Sequence, residues 1–222
     1  MSRRPDPPSP ILLAWVTEGK KALVVGGGSV STRRVQALLD GKAWVTVVAP
    51  EVSATIAAQA ERSEILLHRR PFDEADLDDA DLVLVAIDDH AESARICHAS
   101  RARRIPVHVA DDPPLCDFYF AAMERRGPVQ VAVSTGGAGP ALAGRLRNRL
   151  AAALPERLEE AVERFGRLRA AVRSALPDDA QMKARMRWLT AFGRSAPWDE
   201  LAELSDERIA QLAAEARSSD SF

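Results

Sequence analysis

The chain has 222 residues, 46% hydrophobic and 28% charged, and its 30 lysines and arginines against 32 aspartates and glutamates leave a formal charge of −2. That size can bury one large core or two small ones, the near-neutral balance gives no sign of a nucleic-acid protein, and no apolar run approaches the roughly 20 residues that span a bilayer. Two cysteines, Cys97 and Cys116, are too few for a disulfide framework and show no zinc-type spacing, which fits a reducing cytoplasm. The opening MSRRPDPPSP has arginines but no apolar core behind them, so it reads as a flexible leader of a mature chain that begins where the gene does.

In chain order, Ile11 to Val16 is a short apolar segment that can pack beside a sheet, and Thr17-Glu18-Gly19-Lys20 turns the chain into a first strand over Ala22 to Val25. Three glycines and a helix start follow. Glycine suits that turn because a Cβ would block both its geometry and the approach of backbone N–H groups to a pyrophosphate at the helix N-terminus. Gly26 and Gly28 fill the first two places of G-x-G-x-x-G/A, and Ser31 stands at the third. Alone, such a motif can also be a turn without a ligand; its position at the first βα turn gives it meaning. Val35, Leu38 and Leu39 give the helix one apolar face before Asp40-Gly41 end it.

Trp44 to Val48 is a second strand closed by Ala49-Pro50. No carboxylate stands at its end to hold a ribose 2′-OH, so this position does not choose between NAD and NADP. Val52 to Arg62 reads as a helix, Ile65 to His68 as a third strand, and the apolar Leu82 to Ala86 as a central fourth. Asp88 and Asp89 read first as caps of a helix running to Arg103, with Glu92 completing a capping-box pattern, and second as ligand contacts. Ile105 to Val109 is a fifth strand. The alternation predicts a doubly wound parallel sheet with its ligand edge at the C-terminal strand ends, where Gly26, Asp88 and Asp111 lie.

Val129 to Val133 is a further strand, followed by the glycine-rich Ser134 to Pro140 and a helix over 141–154. Beyond Pro155 the pattern is helical: Leu158, Val162, Phe165, Leu168, Val172 and Leu176 mark one apolar face, Met182, Met186, Leu189 and Phe192 another, and Ser205 opens a last helix. These methionines and aromatics are expected in a small helical core, and the residues from Ser218 are expected to fray.

Asp111 ends a strand at the ligand edge, where a carboxylate can accept a proton or orient a substrate nitrogen; Asp112 could do the same, and both could merely shape the turn into Pro113-Pro114. Strand alternation points His108 to the face opposite Asp111, as a buried, hydrogen-bonded residue. Cys116 has no partner histidine at a recognisable spacing and reads as a half-buried thiol. The Ser134 to Pro140 loop could hold carboxylates through backbone N–H groups, aided by Arg145 and Arg147, or be a plain loop beside a solvated basic helix face.

The ordered set VVGGGSVSTRR, VTVVAPE, LVLVAIDD, VADDPPLCDFYF and VAVSTGG resembles the family of precorrin-2 dehydrogenases of sirohaem synthesis over nearly the whole chain, with phrases such as LEEAVERFGRLRAAVRSALPDDAQMKARM closest to the fungal bifunctional type. The resemblance implies an NAD-binding Rossmann-like domain over 1–112, a dimerisation segment over 113–154 and a helical domain over 155–222. It implies oxidation of precorrin-2 to sirohydrochlorin with NAD as cofactor, Fe2+ insertion as a further activity, and a cytoplasmic homodimer that binds neither membrane nor nucleic acid. A chelatase without redox work, or a noncatalytic NAD- or tetrapyrrole-binding protein, is the alternative. Asp111 is the implied catalytic residue. Gly26, Gly27, Gly28, Ser29, Val30, Ala49, Pro50 and Asp88 are the implied cofactor set, Thr135, Gly136 and Gly137 the implied substrate contacts, and no resident metal site is implied. The sequence departs from the family pattern at Ser31 (usually alanine or glycine), Ile87 (threonine), His108 (asparagine) and Gly139 (serine).

Overall fold

A computed structural model of the chain describes residues 10–218 and divides into two compact units, the first ending at Phe120 and the second beginning at Ala121. The expected leader at residues 1–9 and the fraying after Ser218 concern residues outside those described.

The first unit is a parallel sheet of β1 (Lys21–Val25), β2 (Trp44–Val48), β3 (Leu66–His68), β4 (Leu82–Val85) and β5 (Val107–Val109) in the order β3-β2-β1-β4-β5. All four residues of β4 are buried, as a strand covered on both faces requires. Alternation sends Ala22, Val24, Leu82 and Leu84 toward Val35 and Leu38 of α1 (Ser29–Asp40) and Ile56 of α2 (Ala54–Glu61). Leu23, Val25, Val83 and Val85 face Ile96 and Cys97 of α3 (His90–Ala102). Ser53 caps α2 by accepting the Ile56 N–H, a bond of a kind contributing about 1 kcal/mol. Asp89 caps α3 through the Glu92 N–H. The Glu92 carboxylate turns to Arg95 rather than back to the cap, so the expected capping box is only half formed. Of the Ile11 to Val16 segment, Trp15 meets Phe118 edge-on with ring centroids 5.7 Å apart, while Ile11, Leu12, Leu13 and Val16 are exposed.

The second unit begins with an antiparallel hairpin of β6 (Ala122–Arg126) and β7 (Val129–Val133). The sequence reading missed β6, because AMERR is charged and only half-buried on alternate residues. Its register with β7 comes from the two-residue Gly127-Pro128 turn, with Gly127 at φ +54°, the positive angle that a primed hairpin turn needs. Helix α4 (Pro140–Ala152) packs on this hairpin. Helices α5 (Leu158–Ala175), α6 (Met182–Ser195), α7 (Trp198–Ala202) and α8 (Asp206–Ser218) enclose a core of Leu168, Val172, Leu176, Leu189, Leu201 and Leu212. Here two expectations are corrected. The short α7 was not foreseen, since five residues are too few to show a helical period. Met182 and Met186 are half exposed, not core, because α6 buries only Leu189 fully and meets the core with Trp188 and Phe192 beside it.

Candidate active site

The glycine turn is dictated by its neighbours. Gly26 sits at φ +114°, and a Cβ there would overlap the carbonyl oxygen of Ala86 at the end of β4. A Cβ on Gly27 would overlap the Glu51 carbonyl beyond β2. These two glycines let the loop nest between the strand ends on either side, held by the Gly26 N–H to the Val48 carbonyl at 3.0 Å and the Ser53 N–H to the Gly27 carbonyl at 2.9 Å. Gly28 differs: a Cβ there would meet nothing within 4 Å, so open space lies in front of the first turn of α1. That turn has no side-chain cap and no acidic residue. Its N–H groups and positive dipole end suit an anion, so the residues present fit a dinucleotide pyrophosphate. Ala49 is buried, and Pro50 and Asp88 are exposed beyond the ends of β2 and β4; Asp88 engages no other side chain among the described residues. Ser31 is fully buried with its Oγ lacking any hydrogen-bond partner.

At the end of β5 the two aspartates separate. The Asp112 carboxylate takes His90 Nδ1 at 2.8 Å and is the more enclosed of that pair. Asp111 is exposed, enters no hydrogen bond or ion pair among the described residues, and sits at φ +59°, a left-handed conformation uncommon for a residue with a Cβ. That backbone angle ends the strand alternation. The alternation behind the expected opposite faces of His108 and Asp111 therefore stops at Val109, and the Asp111 charge favours the protonated forms of His108 and Arg34.

His108 is buried, as expected, with Nδ1 3.1 Å from the Phe118 carbonyl oxygen and its ring 5.3 Å from that of Phe120. Burial, and secondarily the Arg34 charge, push its pKa down against the pull of the Phe118 carbonyl and Asp111. A neutral ring donating Nδ1–H to Phe118 leaves Nε2 as the bare acceptor. Cys116 does have a histidine beside it, contrary to the sequence reading: its Sγ lies 3.5 Å from His108 Nδ1 and donates toward the Val109 carbonyl at 3.1 Å. Burial raises the thiol's pKa, so it stays protonated and forms no activated nucleophile. Sequence spacing did not show this pair, because the turn through Pro113-Pro114 folds residue 116 back onto the strand. Arg34 was also missed; its only signal was a second arginine in the opening helix.

In the second unit the Ser134 to Gly139 loop places Gly136 at φ +61° and Gly137 at φ +84°, both open to space. The Ser134 hydroxyl accepts the Gly136 N–H at 3.2 Å and the Thr135 hydroxyl the Gly139 N–H at 3.1 Å, so the loop holds its own shape. Arg147 is engaged by Glu124 at 3.0 Å, which leaves Arg145, exposed, as the available guanidinium of the two.

A β3-β2-β1-β4-β5 parallel sheet, with a glycine turn and open space at the switch point between β1 and β4, defines a dinucleotide-binding protein of the doubly wound class. Comparison with known proteins narrows this. Residues 13–122 match the family model described as "Putative NAD(P)-binding", residues 126–153 that for the sirohaem biosynthesis protein central region, and residues 155–222 that for its C-terminal region. The siroheme biosynthesis protein of the fission yeast Schizosaccharomyces pombe is 36% identical over 210 residues, covering 93% of this chain and 80% of that protein. The siroheme synthase of Methylococcus capsulatus is 44% identical over 156 residues, 70% of this chain but 33% of its own length. The chain thus spans about a third of that bacterial relative. The solved structure of SirC, a precorrin-2 dehydrogenase, superposes with a TM-score of 0.69 at 24% identity over 94% of this chain and 99% of that one, which supports the fold. The chain belongs to the sirohaem biosynthesis family.

Proposed function

We propose that the chain is an NAD-dependent dehydrogenase that oxidises precorrin-2 to sirohydrochlorin, and that it also inserts Fe2+ into the product. The observation that carries the reading is Asp111: a free, exposed carboxylate held in a left-handed turn at the ligand edge of an NAD(P)-type fold, while its neighbour is tied to His90. Precorrin-2 loses two hydrogens in becoming sirohydrochlorin. Bound NAD+ supplies the acceptor for one of them, as hydride. Asp111 accepts the other as a proton, or holds the macrocycle while solvent takes it. Gly26, Gly27, Gly28, Ser29 and Val30 hold the pyrophosphate through backbone groups, with Ala49, Pro50 and Asp88 flanking the rest of the cofactor. Thr135, Gly136 and Gly137 contact a substrate carboxylate, their left-handed glycines presenting backbone N–H groups as an anion nest. Iron insertion displaces two pyrrole protons, for which Asp111 is again the acceptor.

The 113–154 segment serves as the dimerisation region. Leu142, Leu146 and Leu150 form a half-exposed stripe along α4 at 59%, 50% and 48%, which a second copy would cover; sedimentation of the full chain as a monomer would remove this part. No described helix is long and apolar enough to cross a membrane, and the cytoplasm, where NAD and reduced thiols are available, is the proposed location. Incubation with precorrin-2 and NAD+ is expected to form NADH and sirohydrochlorin, and added Fe2+ to give sirohaem. Binding of NAD+ without turnover would sink the dehydrogenase reading, and turnover without iron uptake the chelatase part. Asp111→Ala is expected to lower turnover at least about a hundredfold with NAD+ affinity unchanged; a fully active variant removes Asp111 from the mechanism.

A further inference from the structure

Arg70, Arg95 and Arg101 pair with Asp76, Glu92 and Asp117. Arg33, Arg34, Arg69 and Arg104 have no acidic partner among the described residues, and of these Arg34 is the one that is half-buried while the others are exposed to water. The Arg34 Cζ lies 4.0 Å from the centroid of the Phe120 ring, and its Nε is shielded from solvent without a hydrogen-bond partner. Burying a guanidinium donor unpaired is costly, and the π face of Phe120 offsets only part of that cost. Burial and the adjacent Arg33 both work against the charge, and the Asp111 field alone opposes them. The site is one anion short.

We propose that Arg34 is the receptor for a carboxylate of the tetrapyrrole and thereby positions the macrocycle against Asp111. The inference rests on the dehydrogenase reading above. A cofactor phosphate is the other source of an oxyanion, but the backbone N–H groups at the start of α1 already suit it, and Gly28 leaves the open space there. Arg34 stands in the second turn of the helix, in contact with Phe120 and in the field of Asp111, and its own charge acts on His108. A guanidinium fork matches a carboxylate with two parallel bonds, so fixing one acidic side arm would fix the plane of a rigid ring system. The division of labour is then clear: Arg34 grips the anionic periphery and Asp111 acts on the ring.

Arg34→Gln and Arg34→Lys in the full chain test this against NAD+ and precorrin-2. The expected result for Gln is a rise of about tenfold or more in KM for precorrin-2, accompanied by a smaller fall in kcat as the ring loses its orientation, with the Kd for NAD+ unchanged. Lys is expected to recover part of the loss, since it keeps the charge but neither the planar stacking on Phe120 nor the fork. The salt sensitivity of KM should weaken in the Gln variant. An unchanged KM overturns the proposal. So does a weaker Kd for NAD+ alone, which would assign Arg34 to the cofactor, or a fall in kcat alone, which would make it a counter-ion of Asp111. If the unaltered protein fails to oxidise precorrin-2 while binding NAD+, the functional reading has failed before any variant is compared.

Discussion

The chain enters a helix through glycines twice, and the two entrances work differently. At Gly26 and Gly27 the neighbours leave no room: the Ala86 and Glu51 carbonyls occupy the space a Cβ would need. At Gly136 and Gly137 nothing is near, and only the backbone angles of +61° and +84° call for glycine. The first loop is wedged into a sheet and is rigid because its surroundings are. The second is shaped by its own Ser134 and Thr135 hydroxyls, so its conformation is local and its front is open. A loop that must present a fixed row of N–H groups to a cofactor gains from the first arrangement. A loop that adapts to a substrate side arm gains from the second.

The contrast can be broken by substitution. Gly26→Ala is expected to have the largest effect, a loss of about 3 kcal/mol or more from overlap plus a strained angle, read as a drop in the denaturation midpoint and loss of NAD+ binding; wild-type affinity would show that the loop is not wedged. Gly137→Ala has the angle to overcome but no overlap, and should lose only about 1–2 kcal/mol, with NAD+ binding intact in the same titration. Ser31→Ala sharpens the comparison from the other side. It removes an unpartnered buried hydroxyl from the tightly packed start of α1, and chemical denaturation should show a gain of about 1 kcal/mol; a loss would mean the hydroxyl is bonded. The smallest effect concerns pH. The pKa of His108 is lowered by burial, so between that value and the ordinary histidine value of about 6.5 the unfolded chain binds more protons than the folded one. Stability from this residue is complete above the ordinary value and falls as pH drops through it toward the lowered one. His108→Asn should flatten that part of a stability–pH curve, and an unchanged curve would show that folding does not shift the pKa of the ring.

Much of the first unit was legible from residue order alone. The apolar run Leu82 to Ala86 reads as a central strand and Asp40-Gly41 as a helix end, and both stand in the structure, whereas the Ser53 cap that starts α2 inside the expected helix was not read in advance. Asp111 was a candidate on the same grounds as the strand, since a strand's end is a local property. Residue order favoured Asp111 with Asp112 as the neighbour that could act instead, but it did not show how the two carboxylates are engaged. That depends on His90, a helix away, taking one carboxylate and leaving the other free.

The sequence by itself determined the doubly wound class, the glycine turn and the ligand edge, because periodicity and glycine placement act over a few residues and survive any tertiary context. Tertiary structure alone decided which charges are left over. Whether Arg34 has a partner, whether His108 senses Asp111 and whether Cys116 has a histidine depend on chain segments brought together by the fold. Electrostatic pairing acts through space, and no spacing along the chain records it.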